Sequence, residues 1–147
     1  MSKEIKRLAN SFKRLIHVLS SGKNKPVKYG SHELFRAEVH ILEIIAKNRG
    51  ITATEITKRM DVTKGAISQI IIKLLKKKLI KKEPRTDDLK IQELFLTPEG
   101  ESVIKFHTKH ERILLVSLEK ELESLDGKQI DIFSNIVNKL ADHIDRD

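Results

Sequence analysis

Hydrophobic residues recur at three- and four-residue spacing along most of the chain, which places them on one face of an α-helix. Ser20–Ser31 breaks this pattern with Gly, Pro, Asn and Ser, and is predicted to be a connector. A second helix is predicted from about Leu34 to Lys47, ending at the stop Asn48-Arg49-Gly50. The first helix is predicted from Ser2 to about Ser20, with apolar positions Ile5, Leu8, Phe12, Leu15, Ile16 and Leu19.

The middle of the chain predicts two short helices separated by a tight turn. Thr52-Ala53-Thr54-Glu55 has the pattern of a capping box, in which a threonine hydroxyl caps the first turn and a glutamate reaches back. This helix is expected to stop near Asp61, and Thr63 is expected to cap a second helix, Lys64 to about Lys77. Helices joined by so short a turn cross steeply, which is the helix-turn-helix geometry.

The second of these helices has an apolar face and a polar face. Small and amide side chains flanked by lysines suit insertion of its N-terminal half into a DNA major groove. Gln pairs with adenine, Ser adapts to several bases, and Lys reaches guanine or phosphate. The alternative is an ordinary amphipathic helix with a solvated face. The predicted DNA-binding residues of this helix are Thr63, Lys64, Ser68, Gln69, Lys73 and Lys76.

A β-hairpin is predicted to follow the recognition helix. Two short apolar stretches, from Leu79 and from Leu89, flank a polar tip at Thr86-Asp87-Asp88. Pro84 indicates an edge position or a bulge in the first strand. Such a hairpin is a wing, and Arg85 and Lys90 near its tip are candidates for minor-groove contact. A hairpin that only packs against the domain is the alternative.

The C-terminal part of the chain predicts two further helices. Thr97 is expected to cap a long helix that starts at Pro98 and reaches about Glu123. Asp126-Gly127-Lys128-Gln129 is expected to cap the last one. The first and the last two helices carry more apolar surface than one small core covers, so a second subunit is expected to bury the excess. We therefore predict one domain over 1–147, mainly α with a small β-wing. Its winged helix-turn-helix lobe is 32–97, with connector and dimerisation helices in 1–31 and 98–147.

The distribution of charge favours a polyanionic partner. The net charge of the 147 residues is +8, and the stretch from Lys58 to Lys90 supplies +7 of it, with eleven Lys or Arg against four acids. A block of this kind is typical of a nucleic-acid-binding surface. Lysines kept for solubility are the alternative.

Several function classes are excluded or disfavoured by the composition. The chain has no cysteine, which excludes a disulfide framework, a thiol sensor and a thiolate metal site. Because no apolar run is long enough for a membrane span and the N-terminus lacks a secretion signal, a cytoplasmic protein is expected. The sequence has no glycine-rich phosphate loop, nucleophile elbow or complete metal-hydrolase motif, so an enzyme is not expected.

In the order of its parts the chain resembles the MarR family of winged-helix regulators. The matching residues are Ile51–Ile56, Asp61–Ser68, Leu74–Ile80 and Leu94–Gly100. The resemblance implies a homodimer whose recognition helices enter successive major grooves of a pseudo-palindromic operator, with half-sites about 34 Å apart. Family wings typically carry Asp-Arg-Arg, where this chain has Asp88-Leu89-Lys90, so the resemblance implies that Lys90 takes the minor-groove role beside Asp88.

The resemblance also implies a function. It predicts a sequence-specific transcriptional regulator, a repressor or an activator, that binds double-stranded DNA and is released or tuned by a small ligand. The ligand would lie in an apolar crevice between the wing-bearing lobe and the dimer helices. A low-specificity architectural DNA-binding protein is the alternative.

A metal-responsive regulator is a further alternative, because histidines cluster on the predicted helices. A zinc-sensing branch of the family is similar at His40 and His110, whereas its other ligand positions hold Lys105 and Phe106 here, which do not bind zinc. A shifted site of His40, His107 and His110 would meet the usual three-ligand minimum. Because surface and packing histidines are common, the expectation is that no metal or cofactor is required.

Overall fold

The computed structural model describes residues 1–21, 25–60 and 62–144. These residues form a mainly helical fold with a small wing, as predicted, and Asp61, the expected end of a helix, lies outside them. No helix in these ranges is long and apolar enough to cross a membrane. The elements are α1 (Lys3–Ser21), β1 (Val27–Tyr29), β2 (His32–Leu34), α2 (Arg36–Lys47), α3 (Ala53–Arg59), α4 (Lys64–Lys76), β3 (Ile80–Pro84), β4 (Gln92–Leu96), α5 (Pro98–Leu122) and α6 (Gly127–Ile144).

The chain divides into two compact units, Met1–His107 and Thr108–Asp147. The first unit contains the hydrophobic core, in which α2, α3, α4 and the wing strands pack together. Aliphatic side chains dominate this core because the chain has few aromatic residues to fill it. Its fully buried members are Leu34, Ile41, Leu42, Ile45, Ile56, Ile67, Leu74, Leu79 and Leu94.

A short β-hairpin that the sequence analysis missed begins inside the predicted connector and ends after it, at Leu34. Strands β1 and β2 pair antiparallel, with Val27 opposite Leu34 and Tyr29 opposite His32. Gly30 turns the chain between them with φ +61°, a conformation that glycine adopts at little cost. Leu34 is the buried end of β2, so α2 begins at Arg36 rather than near Leu34. Strands of three residues are too short to show an alternating pattern.

The predicted helix caps are present. The Thr52 hydroxyl accepts from the Glu55 N–H at 3.2 Å, and a Glu55 carboxylate oxygen accepts from the Thr52 N–H at 2.8 Å. Thr63 caps α4 by accepting from the Ala66 N–H at 3.2 Å. Because these caps define where α3 and α4 begin, local sequence alone sets the short turn between the two helices.

The wing is an antiparallel pair, with Ile80 opposite Leu96 and Pro84 opposite Gln92. Pro84 closes the strand β3, where its missing N–H interrupts no ladder. At the tip, Asp88 holds the turn: its carboxylate accepts from the Lys90 N–H at 3.0 Å. The wing follows α4 directly in the chain, and this hydrogen bond stabilises the turn at its tip.

The helices at the chain ends leave apolar surface uncovered. None of the described residues of α1 or α6 is buried. In the second unit the apolar side chains of α5 are also exposed, Leu114 by 71% and Leu115 by 63%. The first unit exposes the α1 stripe Ile5, Leu8, Leu15, Ile16, Val18 and Leu19.

Candidate nucleic-acid interface

The recognition helix α4 has one face in the core and the opposite face open to solvent. Ile67, Ile71 and Leu74 are almost fully buried. At 3.6 residues per turn, the positions opposite these three form a single row along the helix. That row consists of Gly65, Gln69, Ile72 and Lys76.

The predicted DNA-binding residues of α4 do not all lie on this exposed row. Gln69 and Lys76 belong to the row, and Lys73 and the half-buried Ser68 lie at its two sides. Lys64 is exposed in the first turn, but it lies three residues before the buried Ile67, on that side of the helix. Thr63 is the N-cap residue of α4, and its hydroxyl oxygen accepts the capping hydrogen bond.

Two residues of the row did not figure among the predicted contacts. Ile72 is 43% exposed although it belongs to the most apolar stretch of the helix. Gly65 has no atom within 4 Å of the position that a Cβ would occupy, so no internal contact requires a glycine there. Ile72 follows Gln69 by three residues and Gly65 precedes it by four, and these spacings place residues on the same helix face. Helical spacing from Gln69 would therefore have identified both positions.

The C-terminal end of α4 is fixed by an ion pair. Lys77 Nζ lies 2.7 Å from Glu38 Oε1 and donates to the Glu33 carbonyl at 2.8 Å. Glu38 is 2% exposed, and its second oxygen accepts from the Phe35 N–H. Lys77 therefore joins the end of α4 to the start of α2. Because its ammonium group pairs with Glu38, Lys77 does not belong to the exposed basic surface that Lys73 and Lys76 form.

A second attachment joins α4 to the start of α5. Lys78 has φ +57°, and its N–H and that of Leu79 turn back to the carbonyls of Leu75 and Leu74. This is the Schellman ending of a helix, with a lysine where glycine is usual. The Thr97 hydroxyl then donates to the Lys78 carbonyl at 2.7 Å.

The wing residues have different surroundings. Arg85 Nε donates to Glu93 Oε1 at 2.7 Å across the hairpin, and this hydrogen bond raises the pKa of Arg85. Lys90 is exposed at the tip, and the Asp88 carboxylate is engaged by the Lys90 N–H. The three predicted wing residues therefore differ. Within the described residues, Lys90 is the one whose side chain makes no hydrogen bond to the wing and extends into solvent.

The predicted histidines do not all belong to one unit. His40, on α2, and His107, on α5, both lie beside Glu43 in the first unit. His110 is exposed and belongs to the second unit. Glu43 was missed by the sequence analysis, although it follows His40 by three residues on a predicted helix, a spacing at which side chains meet.

A cavity of 340 Å³ opens between the end of α2, the base of the wing and the first turns of α5. Ile45, Leu96 and Ile104 form part of its apolar lining. Arg49 and Lys81 stand over the ring of Phe95, at 5.9 and 6.0 Å from its centroid. The cavity thus combines an apolar floor with cationic side chains at its edge.

The sequence of the winged helix-turn-helix places the chain among known proteins. A model of the MarR family matches residues 34–91, which contain α2, α3, α4 and β3. Over these residues the chain is similar to the MarR family. It is also 33% identical over 85 residues to YhjH, an uncharacterised HTH-type transcriptional regulator of Bacillus subtilis (strain 168). That match covers 57% of this chain and 47% of YhjH, so the chain spans about half the length of this relative.

Solved structures extend the likeness of the fold to nearly the whole length of the chain. The zinc-responsive MarR family member ZitR of Lactococcus lactis is 20% identical with a TM-score of 0.73, covering 95% of this chain and 99% of ZitR. FabT of Streptococcus pneumoniae, solved in complex with DNA, is 17% identical with a TM-score of 0.69, covering 98% and 97%. At these identities the likeness establishes the fold.

Proposed function

We propose that this chain is a MarR-type regulator: a sequence-specific, homodimeric transcriptional regulator that binds double-stranded DNA and acts by binding, without catalysis. The observation that carries the proposal is the row Gly65, Gln69, Ile72 and Lys76 on α4. It presents the Gln69 amide, the exposed Ile72 side chain and the Lys76 cation on one helix face, and Lys73 lies beside them.

Each member of the row suits a different part of a DNA major groove. Gln69 has the donor and acceptor that pair with the N6 and N7 edge of adenine. The exposed Ile72 side chain suits the methyl group of thymine. Lys73 and Lys76 suit phosphates, and on the wing Lys90 suits the adjacent minor groove.

The proposed dimer would use the helices at the chain ends. The exposed apolar rows on α1 and α6 exceed what a monomer in water commonly leaves uncovered. On α6, Phe133, Val137 and Leu140 recur at three- and four-residue spacing, as in a helix–helix interface. Replacing Phe133 with Glu is expected to yield monomers by sedimentation. The exposed Asn138→Glu variant, which adds the same charge off this row, is expected to remain dimeric.

The cavity at the base of the wing is the proposed effector site. The lining contains three cations, Arg49, Lys81 and Lys105, against one acid, Glu101. With the Phe95 ring and the aliphatic lining, this excess of positive charge favours a small organic anion with an apolar body. Because β3, β4 and α5 all contribute walls, a bound anion would act on the wing. Titration calorimetry with benzoate and octanoate tests this site, and Phe95→Ala together with Arg49→Ala is expected to abolish the heat of binding.

Selection from a random duplex library at physiological salt tests the regulator proposal. An enriched inverted repeat with half-sites about one helical turn apart is the expected result. Gln69→Ala is expected to relax the preference at one base position by about 1–3 kcal/mol, and Ile72→Ala is expected to weaken selection for thymine. Binding without enrichment would instead support the architectural alternative, and an equal loss of affinity for every sequence would exclude Gln69 from base reading.

A further inference from the structure

We propose that the Thr97 hydroxyl is a positioning group for DNA recognition, which holds the C-terminal end of α4 at the orientation that base reading requires. Thr97 lies outside α4, between the strand β4 and the helix α5. The inference rests on the proposed function, because it takes α4 as the helix that enters the major groove. It adds a residue distant in sequence to those that determine which bases are read.

A single side-chain oxygen connects the end of α4 to the start of α5. Thr97 Oγ1 donates to the Lys78 carbonyl at 2.7 Å and accepts from the Gly100 N–H at 3.1 Å. The Thr97 N–H also donates to the Leu79 carbonyl at 3.0 Å. The two segments approach so closely that a Cβ on Gly100 would collide with the same Leu79 oxygen. The first turn of α5 therefore packs directly against the residues that end α4.

The backbone that ends α4 requires support from its surroundings. Lys78 has φ +57°, a left-handed conformation that is unfavourable for a residue with a Cβ. Residues other than glycine keep such a conformation where the surrounding structure fixes it. The N–H groups of Lys78 and Leu79 donate back to carbonyls of α4, and the Lys78 carbonyl accepts from the Thr97 hydroxyl. Of these hydrogen bonds, the one from Thr97 comes from a side chain, so a substitution can remove it.

The hydrogen bond from Thr97 completes a ring of three contacts around the end of α4. Lys77 Nζ donates to the Glu33 carbonyl of β2 at 2.8 Å. The residue before Glu33, His32, has its Nε2 2.9 Å from Oε1 of Glu99, in the first turn of α5. Thr97 then connects α5 back to α4. Because α4, β2 and α5 are each joined to the other two, the end of α4 is held from two directions.

A small tilt at this end of α4 is magnified along the helix. Gln69, the residue proposed to pair with a base, lies about 10 Å along the helix axis from Lys76, at 1.5 Å per residue. A tilt of about 10° at the C-terminal end would therefore displace Gln69 by about 2 Å. Hydrogen bonds form over donor–acceptor distances of only about 2.7–3.2 Å, so such a displacement removes base contacts. Phosphate contacts from flexible lysines tolerate it, so Thr97 is expected to affect sequence preference rather than general affinity for DNA.

Three substitutions of Thr97 separate its two hydrogen bonds. Thr97→Ser keeps the hydroxyl and therefore both hydrogen bonds. Thr97→Asp keeps an oxygen that can cap α5, but at neutral pH it has no proton to donate to the Lys78 carbonyl. Thr97→Val has a similar shape and removes both hydrogen bonds. Ser102→Asp adds the same charge at an exposed position in the second turn of α5, and is the control for the charge of Thr97→Asp.

The readout is the ratio of affinities for two duplexes of equal length and composition, one selected by the parent protein and one scrambled. All variants are measured where circular dichroism shows them to be folded. Thr97→Val, compared with the parent, and Thr97→Asp, compared with Ser102→Asp, are expected to bind the selected duplex about 3- to 10-fold more weakly. Their affinity for the scrambled duplex is expected to be nearly unchanged, and Thr97→Ser is expected to match the parent. A residue that only stabilised the fold would leave this ratio unchanged.

Amide hydrogen exchange gives a second readout that needs no DNA. Thr97→Val and Thr97→Asp are expected to speed exchange of the Lys78 and Leu79 amides by about 3- to 10-fold, with little change elsewhere in the core. Unchanged exchange at these two amides, or an unchanged affinity ratio for Thr97→Asp in a protein that selects its operator, would overturn this inference alone. Equal affinity of the parent protein for the two duplexes would overturn the proposed function, and this inference with it.

Discussion

Lys77, at the C-terminal end of the recognition helix, forms a 2.7 Å ion pair with Glu38, which is buried at the start of α2. Removing one partner of a buried pair leaves the other charge uncompensated. Lys77→Met is therefore expected to lower the free energy of unfolding by about 2–4 kcal/mol, measured by urea denaturation. The double variant with Glu38→Gln is expected to recover part of this loss. A loss no larger than that of the exposed Lys76→Met would show that the pair contributes nothing.

The neighbouring lysines of α4 are expected to behave in the opposite way. Lys73 and Lys76 are exposed and are proposed to contact phosphates. Lys73→Ala or Lys76→Ala is expected to weaken binding to all DNA sequences. Each lost phosphate contact is also expected to reduce the slope of log K against log salt concentration by about 0.9. Lys77→Met is the matched control, because its cation faces Glu38, and its slope is expected to match the parent protein. An unchanged slope for both exposed lysines would refute the phosphate assignment.

Gly65 and Gly100 are expected to respond differently to alanine. A Cβ at Gly65 meets nothing within 4 Å, so Gly65→Ala is expected to stabilise the protein by up to about 1 kcal/mol through helix propensity. It is also expected to weaken DNA binding, because the methyl group projects from the proposed contact row. At Gly100 a Cβ would collide with the Leu79 carbonyl oxygen, so Gly100→Ala is expected to destabilise the fold. Thermal unfolding and DNA titration of both variants measure these effects, and tighter DNA binding by Gly65→Ala would contradict the proposed close approach.

The capping box of α3 predicts a dependence of stability on acid. Hydrogen bonds from the Thr52 N–H and hydroxyl hold the pKa of Glu55 below its ordinary value of 4.5. A carboxyl whose pKa is lowered by folding stabilises the folded state above the unfolded pKa, and this stabilisation disappears as the pH falls through the folded pKa. Glu55→Gln is expected to remove this pH-dependent stabilisation. Between about pH 5 and about pH 3, the free energy of unfolding measured by urea denaturation is therefore expected to fall less for the variant than for the parent protein. The control is Glu101→Gln, since Glu101 is exposed outside any cap, and an identical pH profile for Glu55→Gln and the parent would exclude the effect.

Local sequence patterns determined the helices, their caps and the wing. Thr52, Glu55 and Thr63 act within four residues of themselves, so the limits of α3 and α4 follow from short-range hydrogen bonds that a sequence displays directly. The exposed row on α4 also follows from helical spacing, once the buried positions Ile67 and Ile71 are known. The sequence analysis thus predicted Gln69 and Lys76 of the proposed DNA-binding row and missed Gly65 and Ile72, and the chain's charge distribution agrees with the position of the row.

Contacts between residues far apart in the chain were decided only by the tertiary structure. Nothing local distinguishes Lys77 from Lys76, and its pairing with Glu38 depends on how α4 packs against α2. Likewise, Glu43 and His107 meet across 64 positions of sequence, and neither spacing nor composition specifies that approach. Helix periodicity assigns a residue to a face, whereas the packing of one helix against another decides which residue that face meets.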